Sequence, residues 1–154
     1  MADLVVTTTD SVTLTGRQYG NTHEATITGI NQVAQGKVNV KSSGFLNLLT
    51  FDASDQQGFY QFLNDTMKYF RLTNLNANYS VVLSIGTTDG VTTPLDVINI
   101  EIPAGCSYVF HGDGAVGDGL NVAGSFTTSA FRLYRLSVQA LTANVDVEMF
   151  IATT

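Results

Sequence analysis

Charge is what this sequence has least of. Only 13% of its 154 residues are Asp, Glu, Lys or Arg, about half the usual share. The seven basic residues are scattered from Arg17 to Arg135 without a cluster, whereas phosphate backbones and anionic lipid surfaces are held by concentrated Lys and Arg. No direct binding to nucleic acid or membrane is expected, and the net charge of −6 points the same way. Cys106 is the single cysteine, which excludes an intrachain disulfide and a cysteine-based metal cluster. Trp is absent, and with it the residue most expected on a sugar-stacking platform. No stretch approaches the ~18 consecutive apolar residues of a membrane helix. The opening Met1-Ala2-Asp3-Leu4 lacks the basic-then-apolar pattern of a secretory signal, so none is expected.

Catalytic groups are equally sparse. Two histidines and one cysteine leave few nucleophile–base pairs, and neither a Gly-x-Ser-x-Gly elbow nor a His-Glu-x-x-His helix occurs. The chain is therefore not expected to be an enzyme or to carry a cofactor. A carboxylate pair acting on a glycosidic bond is compatible with any spacing in sequence, and the positions of Glu101, Asp113 and Asp118 decide that case.

What is present reads as strand. Thr and Val are plentiful, and apolar residues alternate with polar ones at period two, the mark of sheets with one face on a core. The clearest runs are Val38 and Val40 between Lys37, Asn39 and Lys41; Tyr79, Val81, Leu83 and Ile85; Ile98, Ile100 and Ile102; Tyr134, Leu136 and Val138; and Val145, Val147, Met149 and Ile151. Turn chemistry separates them. Asn74 to Asn78 is rich in the residue that best tolerates left-handed backbone. Ile102-Pro103-Ala104-Gly105 fits a type I turn, Thr87 to Gly90 supplies a bend, and Leu141 to Asn144 joins the last two strands. Between Asp52 and Asp65, Asp55 could cap one or two helical turns carrying Phe59, Phe62 and Leu63, although Gly58 weakens them. The expected fold is all-β: an antiparallel, jelly-roll-like β-sandwich over residues 31–154 with at most one short helix. Residues 1–30, β-prone but poor in apolar bulk, are expected to be an N-terminal arm or edge hairpin.

Candidate sites are few. His111 to Gly119 alternates Gly with Asp, so Asp113 and Asp118 are the residues that could approach Ca²⁺, but two carboxylates fall short of the six to eight oxygens it takes. A plain loop is the favoured reading, with no metal. The same glycines cannot cradle a dinucleotide, because Leu120-Asn121-Val122 reads as strand rather than helix. Cys106 shares a strand face with Tyr108 and Phe110 while His111 falls on the other, so a buried structural thiol is expected, not a thiol–imidazole pair. His23 and Glu24, adjacent on a strand, point apart. Tyr60, Tyr69 and Tyr79 are the aromatics to check for exposure. Asn64-Asp65-Thr66 and Asn78-Tyr79-Ser80 match glycosylation acceptors by coincidence if no secretory signal exists. A low-charge Thr/Asn exterior suits protein contacts instead, and the expected contact residues are Leu4, Val5, Val6, Val12 and Leu14 in the arm, with Gly112, Gly114, Gly117 and Gly119 in the loop.

The segment from Tyr69 through the Asn-rich turn to Gly86 is similar in style to small virion structural proteins of tailed phages. So are Ile98 to Phe110, a strand, Pro-x-Gly turn and strand, and the closing strand pair from Leu133 to Thr154. The resemblance is one of pattern and covers roughly residues 69–154. It implies a sandwich or jelly roll, a symmetric homo-oligomer with a trimer favoured, and a place in the virion after assembly in the host cytoplasm. The partners it implies are the major capsid protein or other virion proteins. Capsid cement or decoration comes first among the roles, with a tail or fibre component, or a glycan- or receptor-binding sandwich, as alternatives. It fixes no functional residue.

Overall fold

The computed structural model describes residues 1–50, 60–61, 67–88, 96–111 and 132–153. Among these the chain is all-β, without a helix. One sheet contains, in spatial order, β11 (Ser107–His111), β8 (Met67–Asn74), β13 (Val145–Thr153) and β5 (Gln32–Val40). The facing sheet runs β10 (Val97–Ile102), β9 (Val81–Thr88), β12 (Arg132–Ala140) and β6 (Leu46–Thr50). A two-residue strand, β7 (Tyr60–Gln61), lies parallel to β6 at its edge, and every other pairing is antiparallel. Apart from the β9–β10 hairpin and the β6–β7 step, each connection crosses from one sheet to the other. Eight long strands wound in this way, with β8–β13 and β9–β12 as the central pairs, form a jelly roll, two Greek keys folded into a sandwich.

The period-two runs explain why the sheets face each other. Val145, Val147, Met149 and Ile151 are fully buried, as are Val81, Leu83 and Ile85 opposite them. Together with Phe70, Leu72, Leu136 and Val138 they form one continuous core between the sheets. Each such side chain withdrawn from water contributes about 1.5–3 kcal/mol. Arg135 and Leu133 depart from simple alternation because a bulge between Leu133 and Arg135 shifts the β12 register, which turns Leu133 inward.

Several local expectations need correction. Cys106 is exposed, not buried. It precedes β11 in the turn, where its N–H bonds the Pro103 carbonyl at 3.1 Å and its own carbonyl accepts from Asn74 N–H at 2.9 Å, so the period-two face of Tyr108 and Phe110 does not extend back to it. The same bond moves the turn one residue along, to Pro103–Cys106, with Gly105 third at φ 71°. That positive φ marks a type II turn, not type I. Tyr79 lies before β9 and is 39% exposed, and Ile98 is exposed because β10 is an edge strand covered only towards Ile102. Of the segment given helical spacing, Tyr60–Gln61 is strand, and Asp55, Phe59, Phe62 and Leu63 lie outside the described residues.

Four short connections close one end of the sandwich: 41–45, 75–80, 103–106 and 141–144. They are tied together by backbone bonds from Leu75 N–H to Asp146, from Ala140 N–H to Lys41 and from Leu141 N–H to Ser80. At the same end Asn39 Nδ2 donates to Asp146 Oδ1 at 2.7 Å and Lys37 Nζ lies 2.9 Å from Oδ2. The Asn39 bond first, then Lys37, hold the Asp146 carboxyl below its ordinary value of 3.8. A depressed carboxyl stabilises the fold above its unfolded value, and that contribution is lost as pH falls through the folded one. Urea midpoints between about pH 5 and pH 2 are therefore expected to fall less steeply for Asp146→Asn than for the native chain.

Candidate interaction surface

Residues 1–30 make one long hairpin. β1 (Ala2–Thr9) pairs with β4 (Thr22–Ile30), and beyond them β2 (Val12–Leu14) pairs with β3 (Arg17–Tyr19). The tip is Thr15-Gly16, both at positive φ (50° and 77°), the two-residue reversal whose twist suits a hairpin. β4 continues through Asn31 into β5, and Asn31 N–H bonds the Thr153 carbonyl at 2.9 Å. The hairpin therefore leaves the sandwich at the end opposite the four short connections.

Its root and its tip are built differently. At the root, Leu4, Val6 and Ile27 pack around Ile30, Tyr69, Ala152 and Phe150. Because Phe70 and Ile151 point into the main core, their neighbours Tyr69 and Ala152 belong to the outer face of that sheet, so the root covers the sandwich from outside. Tyr69 and Phe150 meet edge to face at 5.8 Å, and the Arg71 guanidinium sits 5.9 Å from the Phe150 ring centroid while bonding Glu148 at 2.6 Å. Among the described residues nothing of the kind packs on the tip. Val12 is opposite Tyr19, and Leu14 follows Val12 by two, so the three share a face. They are 51, 51 and 58% exposed in the order Val12, Tyr19, Leu14. A two-stranded ribbon is marginal in water without something against its apolar side.

Root and tip meet at a kink. Asp10 N–H still bonds the Asn21 carbonyl at 2.9 Å, but Gly20 sits at φ 149°, with the place of a Cβ overlapping the Asp10 carbonyl. Only glycine fits this approach. Gly20→Ala is expected to unpair residues 12–19 and accelerate their amide exchange, while the unfolding midpoint of the sandwich changes by less than about 0.5 kcal/mol, as for a surface site.

The sequence-predicted residues separate accordingly. Leu4 and Val6 turn into their own chain, whereas Val5, Val12 and Leu14 face outward. Gly112, Gly114, Gly117, Gly119, Asp113 and Asp118 lie outside the described residues, so the Ca²⁺ and carboxylate-pair readings that need them have no geometry here. Glu101 is exposed on β10, and His23 and Glu24 are neighbouring exposed residues on β4. Among the described residues no three His, Cys, Asp or Glu side chains gather as metal ligands. Of the three tyrosines singled out, Tyr69 is buried and Tyr79 exposed; the side chain of Tyr60 is not described.

Two features escaped the sequence reading. Tyr19 completes the tip face, and the alternation of Val12, Leu14 and Tyr19 around Thr15-Gly16 was the available signal. The second is the closed end of the sandwich, where Phe45, Leu75, Tyr79 and Leu141, one or two from each of three connections, are 39–52% exposed. Turn residues carry no periodicity, so only the topology brings these together.

The architecture places the chain among the jelly rolls carrying a peripheral β-hairpin. Comparison with protein-family models, with curated proteins and with solved structures finds no match to it.

Proposed function

We propose that this chain is a structural protein of a virus particle, in the first place a phage capsid cement or decoration protein acting as a homo-oligomer, with a trimer favoured. The observation that carries the reading is the pairing of a jelly roll with a hairpin tip whose apolar side chains are exposed. Viral capsid domains are among the recurrent uses of this fold, alongside lectins and cupins, and the fold alone does not choose between them. The tip adds a reason to expect protein contacts: Val12, Leu14 and Tyr19 hold apolar area in water on a ribbon that contributes nothing to the main core. The exterior adds another, since few charges and many Thr and Asn residues suit wet, hydrogen-bonded interfaces.

The mechanism is physical. A cement protein that binds only the assembled shell stabilises it by mass action, and a symmetric oligomer repeats each contact so that modest affinities combine. The major capsid protein is the partner this implies, and a place in the tail or fibre is the nearest variant. Mass spectrometry of gradient-purified particles, from a host carrying the virus that encodes the chain, tests the reading. Copies in a fixed ratio to the major capsid protein are expected; absence from intact particles would overturn it.

One observation favours a second reading. The kink forms an open groove lined by Thr9, Asp10, Ser11, Gln18, Tyr19 and Asn21, and a tyrosine, a carboxylate and amide residues about one groove are residue types that suit a sugar. Glycan-array binding that disappears in Tyr19→Ala would support a receptor-binding sandwich.

A further inference from the structure

We infer that the arm is exchanged between copies: Leu4, Val6 and Ile27 of one chain pack on Tyr69, Phe150 and Ala152 of a second. This rests on the assembly proposed above and names the surface that receives the arm.

The occupant follows from a contact the chain makes with itself. Tyr69, Ala152 and Phe150 on the outer face of the sheet, with Ile30 beside them, are covered by Leu4, Val6 and Ile27. A second copy carries the same three side chains, so its arm fits this face as well as the chain's own does. Exchange of an identical element is a low-cost route to association, because each contact given up within one copy is remade between two. Among the described residues the root cluster shares no member with the main core, so the sandwich keeps its packing whichever arm lies on it.

The connection between arm and sandwich has the form of a hinge. From Thr22 to Val40 every residue is strand except Asn31, whose N–H bond to the Thr153 carbonyl fixes it to the sandwich. The bend lies just before it. Ala2 pairs with Ile30 and Leu4 with Ile27, so Thr28 and Gly29 together oppose Asp3. This is a β-bulge, which bends its strand, and Gly29 sits there at φ 78°. Glycine takes positive and negative φ about equally readily, so the arm can swing away at this residue without a steric penalty. Leu4, Val6 and Ile27 leave with it, while Ile30 and the receiving face stay behind.

The root contacts are the same in the closed and exchanged forms, so they do not decide between them. Association carries its own entropic cost, offset by apolar groups that the closed form leaves in water. On the arm these are Val12, Leu14 and Tyr19. The root thus specifies where the arm lies and the tip supplies the added burial; a chain without its tip closes on itself. Passed from each copy to the next, the contact is heterologous and closes into a ring when the rotation allows.

Nuclear magnetic resonance on mixed copies tests the exchange. Chains deuterated except at their Leu, Val and Ile methyls are unfolded and refolded together with ordinary chains. Overhauser contacts from the methyls of Leu4, Val6 and Ile27 to protonated Tyr69 and Phe150 rings then arise only between copies, and they are expected in the assembled species. An assembly of several chains without these contacts would overturn the inference and leave the assembly reading standing. A native chain that is monomeric at all concentrations would overturn both. Gly29→Ala gives an independent check, with native circular dichroism as the control for folding. Alanine disfavours the positive φ of the closed arm, so the variant should stay assembled to roughly tenfold lower concentration than the native chain. Dissociation at the native concentration or above it would remove the hinge and the exchange with it.

Discussion

Asn74→Asp is expected to destabilise the sandwich by about 3–5 kcal/mol, the range for a buried charge left without a partner. Asn74 ends β8 and is fully buried. Its Nδ2 donates to the carbonyls of Tyr79 at 2.9 Å, Pro103 at 3.1 Å and Ile102 at 3.2 Å, and its Oδ1 accepts the Asn76 N–H at 3.0 Å. Asn76 repeats the device, accepting from the N–H groups of Asn78 and Tyr79. One amide thus holds the 75–80 turn to the 103–106 turn, each of which links the two sheets. A carboxylate of the same shape keeps the acceptor and loses both donors, so a negative charge faces three carbonyl oxygens. Asn74→Ala removes the amide without adding charge and should cost less, about 1–3 kcal/mol for the carbonyls it strands. Chemical denaturation of the two variants checks the order; equal midpoints would mean that water replaces the amide.

Phe70→Ala should cost a comparable amount, about 3–5 kcal/mol, by a different route. Phe70 has no exposed surface, lies between β11 and β13 in the middle of its sheet, and stacks at 5.1 Å on Phe110 opposite it. Removing the ring leaves a cavity bounded by β-branched and aromatic neighbours on paired strands, which cannot collapse without breaking ladder bonds. Phe70→Leu fills most of the space and should cost well under half as much. For a chain of this length each kcal/mol lowers the melting temperature by about 2–4 °C, so calorimetry resolves both variants. The two substitutions act on separate groups, so their effects should add.

The contrast between these sites shows what could be read in advance. Rows such as Val145, Val147, Met149 and Ile151 declare their buried face by period two, and with them the all-β sandwich. The Asn-rich stretch from Asn74 declares a turn. Neither states that Asn74 itself is buried or that it reaches Pro103, because that contact joins strands far apart in sequence. Cys106 shows the same limit from the other side: alternation counted back from Tyr108 fails one residue beyond the strand, where the turn takes over. In the arm, a hairpin could be read from the β-prone segments, but Leu4 and Val6 look no different from Val12 and Leu14. What distinguishes them is Tyr69, Ala152 and Phe150 beneath the root, supplied by distant strands. The apolar closed end was illegible for the same reason, since Phe45, Leu75, Tyr79 and Leu141 come to one end only through the order in which the strands are wound.

The most direct test of assembly through the arm is the native mass of the chain with residues 11–20 replaced by Asn-Gly. That change keeps the Asp10–Asn21 bond and the root packing on Tyr69 and Phe150 while removing the apolar tip. The account predicts a folded protein of unchanged core stability whose light-scattering mass falls to that of one chain, beside a native protein of several. A shortened chain that assembles as the native one does would contradict it.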